Sequence, residues 1–275
     1  MHALPERRLD SKGGIARDEA KDTPRPNQPD EWHAWFTQQA GWTQQTRSWL
    51  YRQARLNQAR IVLEVGCGTG VIAEGLAQLG PAVVGLDIDP AMLKFARQRE
   101  GRVVYIQGDA HALPFPDGTF DAVVCHYLLL WLAEPVQGVR EMARVTKLGG
   151  SVLACAEPDY GGRIDHPPEL ADLGRRQTEA LRGQGADPEI GRRLGEIFVA
   201  AGLQATVGTM AGQWHVPSVQ QADFEAEWRI REHDLAGTLT AEELNGLRTI
   251  DRQALKEGRG VLFVPTFYAL GHTSD

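Results

Sequence analysis

The stretch Ile61-Val62-Leu63-Glu64-Val65-Gly66-Cys67-Gly68-Thr69-Gly70 decides the fold. Its first half is an apolar run of strand length, and its second half alternates glycine with small residues. The pattern predicts a buried strand that breaks into a tight turn and opens a helix. Glycine takes positive φ readily and lets a ligand approach the backbone with no Cβ in the way. The free N–H groups of a helix start lie just behind such a turn. Nucleotide-type cofactors bind at strand-to-helix turns of this kind.

The glycine spacing narrows the choice. A dinucleotide fingerprint, G-x-G-x-x-G/A, needs Gly or Ala at position 71; the chain has Val71. Outward from the turn, Pro81 to Asp87 (PAVVGLD) reads as a second buried strand ending in a carboxylate, 21 residues after Gly66. A ribose-binding acid belongs at that distance. Arg102 to Gln107 reads as a third strand followed by Gly108-Asp109-Ala110, and Phe120 to Cys125 (FDAVVC) as a fourth. Between them, Ile72, Leu76 and Leu79 mark one helix face. Asp89 is placed to cap a second helix, with Pro90 at its first position and Met92, Leu93 and Ala96 inside. A third runs from about Glu134 to Lys147 and closes at Gly149-Gly150. Alternation of strand and helix over 60–158 gives a parallel sheet covered on both faces. Residues 187–202 read as one more helix, around Ile190, Leu194, Ile197 and Phe198, and 203–212 and 260–270 as two last strands.

Four pieces in order resemble the class I methyltransferases that use S-adenosylmethionine: LEVGCGTG at 63–70, GLDIDPAML at 85–93, GDAHALPFPDGTFDAVVC at 108–125 and LGGSVLACAEP at 148–158. The series is specific for the cofactor and says little about the methyl acceptor. The resemblance implies an α/β fold: a Rossmann-like, seven-stranded, mostly parallel sheet with helices on both faces, an antiparallel final strand pair and a helical cap. It implies S-adenosyl-L-methionine as cofactor. Gly66 and Gly68 are then expected to carry the loop backbone beneath the methionine end and the ribose. Glu64 receives the cofactor ammonium, Asp87 accepts from both ribose hydroxyls, and Ile88 lies against the adenine face. Asp109 accepts from the adenine amino group while the Ala110 N–H donates to a ring nitrogen.

Candidates for handling the acceptor follow strand ends. His126 closes the fourth strand, near the expected methyl position, and is also expected to contact the methionine end of the cofactor. A neutral imidazole there takes a proton from a hydroxyl or thiol, or it fills space and bonds to backbone. As a base it would make the rate rise with pH through the imidazole pKa. Glu157-Pro158-Asp159-Tyr160-Gly161-Gly162-Arg163 follows the fifth strand, where loops meet substrates. Asp159 or Tyr160 is placed to orient the acceptor, and Arg163 to meet a carboxylate. The alternative is a rigid turn with Arg163 as its ion-pair partner.

The 275 residues suffice for one large domain, or a domain with a cap. Residues 1–30, polar and with Pro24, Pro26 and Pro29, are expected to be a disordered tail. Residues 31–59 hold four of the seven tryptophans and form an expected helical lid. Trp35, Trp42 and Trp49 recur every seven residues, on one helix face, and Gly41 is a candidate break. They either pack the helices onto the sheet or wall off a donor and an organic acceptor. Residues 60–212 and 259–275 make the cofactor-binding domain, with 213–258 as a cap insertion longer than a hairpin needs.

A net charge of −7 argues against a nucleic-acid partner. No run reaches the length of a membrane span and no start-proximal apolar core marks a signal peptide. Cys67, Cys125 and Cys155 sit in or beside expected strands, with neither disulfide-framework nor zinc spacing, which suits buried thiols in a reducing cytoplasm. His166, His215 and His233 lack metal-ligand spacing, so no metal is expected. The expected function is transfer of a methyl group to a small organic acceptor by in-line displacement. The alternatives are a cofactor-binding regulatory or assembly protein without turnover, and methylation of protein or RNA. A nicotinamide oxidoreductase is disfavoured by Val71 and the Gly108-Asp109-Ala110 motif.

Overall fold

The computed structural model describes residues 29–99, 101–210 and 221–274. The expected tail lies almost wholly outside the described residues, as does the start of the expected cap, 213–220. In chain order the first elements are α1 (Pro29–Gln53), β1 (Ile61–Val65), α2 (Val71–Ala77), β2 (Ala82–Asp87), α3 (Pro90–Arg97), β3 (Val103–Gln107) and β4 (Phe120–Cys125). Then come α4 (Pro135–Val145), β5 (Thr146–Pro158), β6 (Ile164–His166), α5 (Ala171–Gly183), α6 (Leu194–Ala200) and β7 (Gln204–Thr209). The chain ends with α7 (Gln221–Asp234), α8 (Ala241–Lys256), β8 (Val261–Phe263) and β9 (Thr266–His272).

Seven strands form one sheet in the order β3-β2-β1-β4-β5-β9-β7. The first five are parallel, and β9 runs antiparallel to both β5 and β7. This is the α/β architecture that the strand–helix alternation predicts. The order reverses at β1, so the strand ends there open a crevice in which ligands bind.

Residue parity along β1 and β4 divides the core. Leu63, Val65, Val123 and Cys125 point to one face and pack with Val139 and Met142 of α4 and Ile197 and Phe198 of α6. Val62, Ala122 and Val124 point to the other and pack with Leu50 of α1 and Ile72 and Leu76 of α2. Glu64 and His126 share the parity of this second set, which turns them toward α1. A separate cluster, around Leu170, Leu173, Phe224, Trp228 and Leu235, joins α5 and α7 and is completed by Leu244, Leu247 and Leu255 of α8.

Several local expectations change. Gly41 does not break α1, which runs unbroken for 25 residues. A mid-helix glycine costs about 0.5–1 kcal/mol, which the buried contacts on either side, Ala40 and Leu50, offset. The buried face of α1 is Ala40, Thr43, Arg47 and Leu50, at helical spacing. The tryptophans spaced every seven residues lie beside it: Trp42 is 53% exposed and Trp49 is 38% exposed, the latter tilted against Tyr268. The segment 260–270 is two strands, because Pro265 lacks the N–H that a ladder needs. β8 leaves the main sheet to pair with β6 as a short antiparallel ribbon. The helix expected over 187–202 is a 3-10 turn, Ile190–Arg193, leading into α6.

Candidate functional site

The turn between β1 and α2 takes the conformation that its glycines permit: φ is +74° at Gly66, +50° at Gly68 and +86° at Gly70. The surroundings also exclude side chains. A Cβ on Gly66 would lie 2.7 Å from Leu128 Cδ1, and one on Gly68 2.9 Å from the Phe36 ring. Asp87 at the end of β2 ties the loop down. Its Oδ2 accepts from the Gly68 N–H (2.7 Å) and its Oδ1 from the Asp89 N–H (2.9 Å). Burial raises its pKa, against the pull of those two N–H groups. Asp89 in turn accepts from the Ala91 N–H (2.7 Å) and caps α3, with Pro90 at the first helical position. Beside Asp87, Ile88 is 67% exposed, an apolar side chain left open on the cavity wall.

Glu64 is 2% exposed, and its Oε2 has no hydrogen-bond partner. Burial pushes its pKa up to about 8; the Arg47 guanidinium opposes this and the Asp87 charge adds to it. A buried carboxyl with an unpaired oxygen calls for a cation or a donor. An ammonium group delivered to the glycine loop meets that need, so the residues fit a cofactor with an amino-acid end.

α1 closes over this loop. His33 Nδ1 lies 2.9 Å from the Thr69 hydroxyl, Phe36 covers Gly68, and Thr43 Oγ1 lies 2.9 Å from His126 Nε2. Arg47 Nε donates to the same Thr43 oxygen (2.9 Å), and its Nη2 donates to the Ala40 carbonyl. Burial, with the Arg47 charge, pushes the His126 imidazole down to about 3. The ring is therefore neutral over the whole ordinary pH range, and one of its nitrogens is already engaged. The loop after β4 is held from the other side by Glu157, whose carboxylate accepts the Leu128 and Leu129 N–H groups (3.0 Å each) and that of Leu130 (3.3 Å). Burial raises Glu157 to about 7.

A cavity of about 990 Å3 runs from the glycine loop to the helical cap, and Glu64, Asp87, Ile88, His126 and Tyr160 all line it. That volume is at the upper end for small-molecule sites, enough for two ligands side by side. Aromatic rings furnish much of its wall, among them Trp35, Phe36, Trp42, Trp131 and Trp228. Trp32 and Trp35 stack at 4.9 Å.

Not every candidate reaches the cavity. Asp159 is buried and bound by Arg192, whose Nε donates to Oδ2 (2.8 Å) and Nη2 to Oδ1 (2.7 Å); it is not among the lining residues. Its ion-pair partner is thus Arg192, while Arg163 pairs with Asp165. Asp109 is turned toward His111, accepting its backbone N–H (2.8 Å), and neither Asp109 nor Ala110 lines the cavity. Tyr160 does, and burial beside Asp234 raises its phenol pKa above the ordinary tyrosine value. Sequence reasoning missed Thr43, Arg47 and the Gln177–Asp234 pair (2.7 Å). The signal for the first two is the i, i+3, i+4 stripe of α1, which the tryptophan count masked.

Residues 63–154 match the family described as methyltransferase domain. The chain is 42% identical over 102 residues to the demethylmenaquinone methyltransferase of Renibacterium salmoninarum, covering 36% of this chain and 43% of that protein. It is 30% identical over 199 residues to an uncharacterized methyltransferase of Schizosaccharomyces pombe, covering 67% of this chain and 69% of that one. The chain thus spans less than half of the first of these and about two thirds of the second. Among solved structures it resembles the YcgJ protein of Bacillus subtilis, with a TM-score of 0.54 at 18% identity over 84% of this chain and 99% of that one. At that identity the likeness is one of fold. The chain belongs to the class I S-adenosylmethionine-dependent methyltransferase family.

Proposed function

We propose that the protein transfers a methyl group from S-adenosylmethionine to a small organic acceptor. The observation that carries this reading is the continuous cavity from the glycine loop and its unpaired Glu64 carboxyl to an aromatic chamber under the cap. When bound, the cofactor supplies an electrophilic methyl group on a sulfonium. Transfer by in-line displacement asks the protein to align the acceptor and exclude water, with no covalent intermediate.

In this reading Glu64, Gly66, Gly68, Asp87 and Ile88 hold the cofactor; Asp109 and Ala110 reach the adenine edge only if Asp109 turns away from His111. His126 and Tyr160 face the acceptor. Tyr160 keeps its proton and so serves as a hydrogen-bond donor that orients the acceptor. His126 acts through position, its ring fixed by Thr43 and Arg47. Asp159, held by Arg192, is assigned to the turn that carries Tyr160. The residues 31–59 and 213–258 act as lid and cap. The aromatic-lined chamber and the net charge of −7 support a small acceptor over RNA. Among the described residues no helix is long and apolar enough to cross a membrane. Three buried free cysteines support a cytoplasmic location.

Calorimetric titration with S-adenosylhomocysteine and with NAD tests the cofactor, and single-turnover transfer of labelled methyl to a metabolite extract tests turnover. Asp87→Ala should weaken S-adenosylhomocysteine by more than about tenfold, since hydrogen bonds to a charged acceptor are worth roughly 1.5–3 kcal/mol each. Unchanged affinity in a folded variant overturns the assignment. Binding without any transfer favours the regulatory alternative.

A further inference from the structure

A polar atom buried without a partner calls for an explanation, and beside a cavity a bound group is one. The cavity-lining residues carry four such atoms among the described residues, and they sort by type. The one at the glycine loop is an acceptor, Glu64 Oε2. The other three are donors: Arg163 Nη2, Arg231 Nε and Trp35 Nε1.

Arg163 is the most constrained of the three. Its side chain is only 5% exposed. Nε donates to both oxygens of Asp165 (2.9 and 2.8 Å), and Nη1 donates to Gln177 Oε1 (2.6 Å). The Gln177 amide is itself fixed by donating to Asp234 (2.7 Å). Gly174 of α5 leaves room for the pair: a Cβ there would run into Asp165 and lie 2.8 Å from Arg163 Nε. The Tyr160 ring stands 5.8 Å from the guanidinium carbon. Five N–H groups in one rigid plane are thus oriented from two sides, and Nη2 is the one guanidinium nitrogen left without a partner. The neighbouring acids do not fill that need. Asp165 is spent on Nε, Asp234 faces Gln177, and Glu227 and Asp251 are held by Arg231.

We propose that the methyl acceptor is an organic acid with an aromatic or otherwise apolar body, whose carboxylate binds Arg163 Nη2. This rests on the methyltransferase reading and names its substrate class. The carboxylate is a handle at the cap end, and the rings of Trp35, Trp42, Phe224 and Trp228 line the chamber that takes the body.

The test uses the full chain saturated with S-adenosylhomocysteine, titrated with two matched pairs: 4-hydroxybenzoate against 4-hydroxybenzamide, and 2-naphthoate against 2-naphthamide. Each pair shares shape and differs in charge. The acid should bind about tenfold tighter or more than its amide, as a charge-assisted bond to guanidinium implies. Arg163→Gln should erase that preference while leaving S-adenosylhomocysteine affinity intact, and Arg163→Lys should keep part of it. Should the glutamine variant not fold, the acid-to-amide ratio of the parent protein decides alone. Equal affinities, a tighter amide, no binding of either pair, or a preference that survives Arg163→Gln overturns the proposal. Failure of S-adenosylhomocysteine itself to bind overturns the methyltransferase reading and the proposal together.

Discussion

Glu64 holds a proton that its ligand should displace. Free, its carboxyl sits near pKa 8 because burial disfavours the charge. An ammonium placed against it favours the carboxylate, so binding at pH 7 should release a proton. Calorimetry in buffers of different ionisation enthalpy should show release approaching one proton at pH 7, fading above pH 9, and absent in Glu64→Gln. Proton uptake instead would place the ammonium elsewhere. His126 gives the opposite kind of expectation. With its pKa pushed to about 3, no limb of the rate profile between pH 5 and 9 belongs to this ring. His126→Ala should lower kcat by less than the ~100-fold that a lost general base brings, with the same pH profile as the parent. A parent limb near pH 6.5 that vanishes in the variant would restore the base role. The sequence placed His126 correctly at a strand end. It could not reveal Thr43 and Arg47 beside the ring, because they come from α1, 83 and 79 positions earlier in the chain.

Elements buried on both faces were the most legible. β1, β2 and β4 are predominantly apolar, broken by Glu64, Asp87 and Asp121, because helices cover the sheet above and below, and their bounds agree with the sequence reading to within a residue. α5 left no trace, since Gln177 and Thr178 stand on its buried face where leucines would have marked the period. β6 is three residues long and has no pattern to read. α1 was visible as aromatic-rich, but its inward face holds Thr43 and Arg47, so the tryptophans outshone the residues that dock it. Its contacts fall on the glycine loop at Gly68 and Thr69 and on His126, so cofactor binding and helix docking should reinforce each other. Amide exchange across 32–47 should slow when S-adenosylhomocysteine is added, with 50–58, already anchored by Leu50 and Leu56, changing less. Equal protection with and without ligand would leave α1 a fixed wall.

Across the whole molecule, the buried carboxyls set how stability responds to pH. Glu64 near 8 and Glu157 near 7 both lie above the ordinary glutamate value of 4.5. Native protein therefore keeps protons that the unfolded chain gives up between pH 4.5 and 8. The unfolded state binds fewer protons there, so stability falls as pH rises, most steeply midway between the unfolded and folded values and less so as pH passes the folded pKa values. Below about 6.5 the depressed His126 works the other way, because the unfolded imidazole takes up a proton that the native ring refuses. From pH 6.5 to 8 the carboxyls outweigh it, because the unfolded imidazole loses its remaining proton early in that window. One pKa unit is worth about 1.4 kcal/mol, so the loss across that window should be on the order of 1–2 kcal/mol. Urea unfolding at pH 6.5, 7.2 and 8 measures it. Glu64→Gln, neutral in both states, should flatten the slope, and saturating S-adenosylhomocysteine should flatten it too by ionising Glu64 in the native state. A stability that rises from pH 6.5 to 8 would mean that both carboxyls are already charged in the fold, with the Arg47 guanidinium and the three N–H groups on Glu157 outweighing burial.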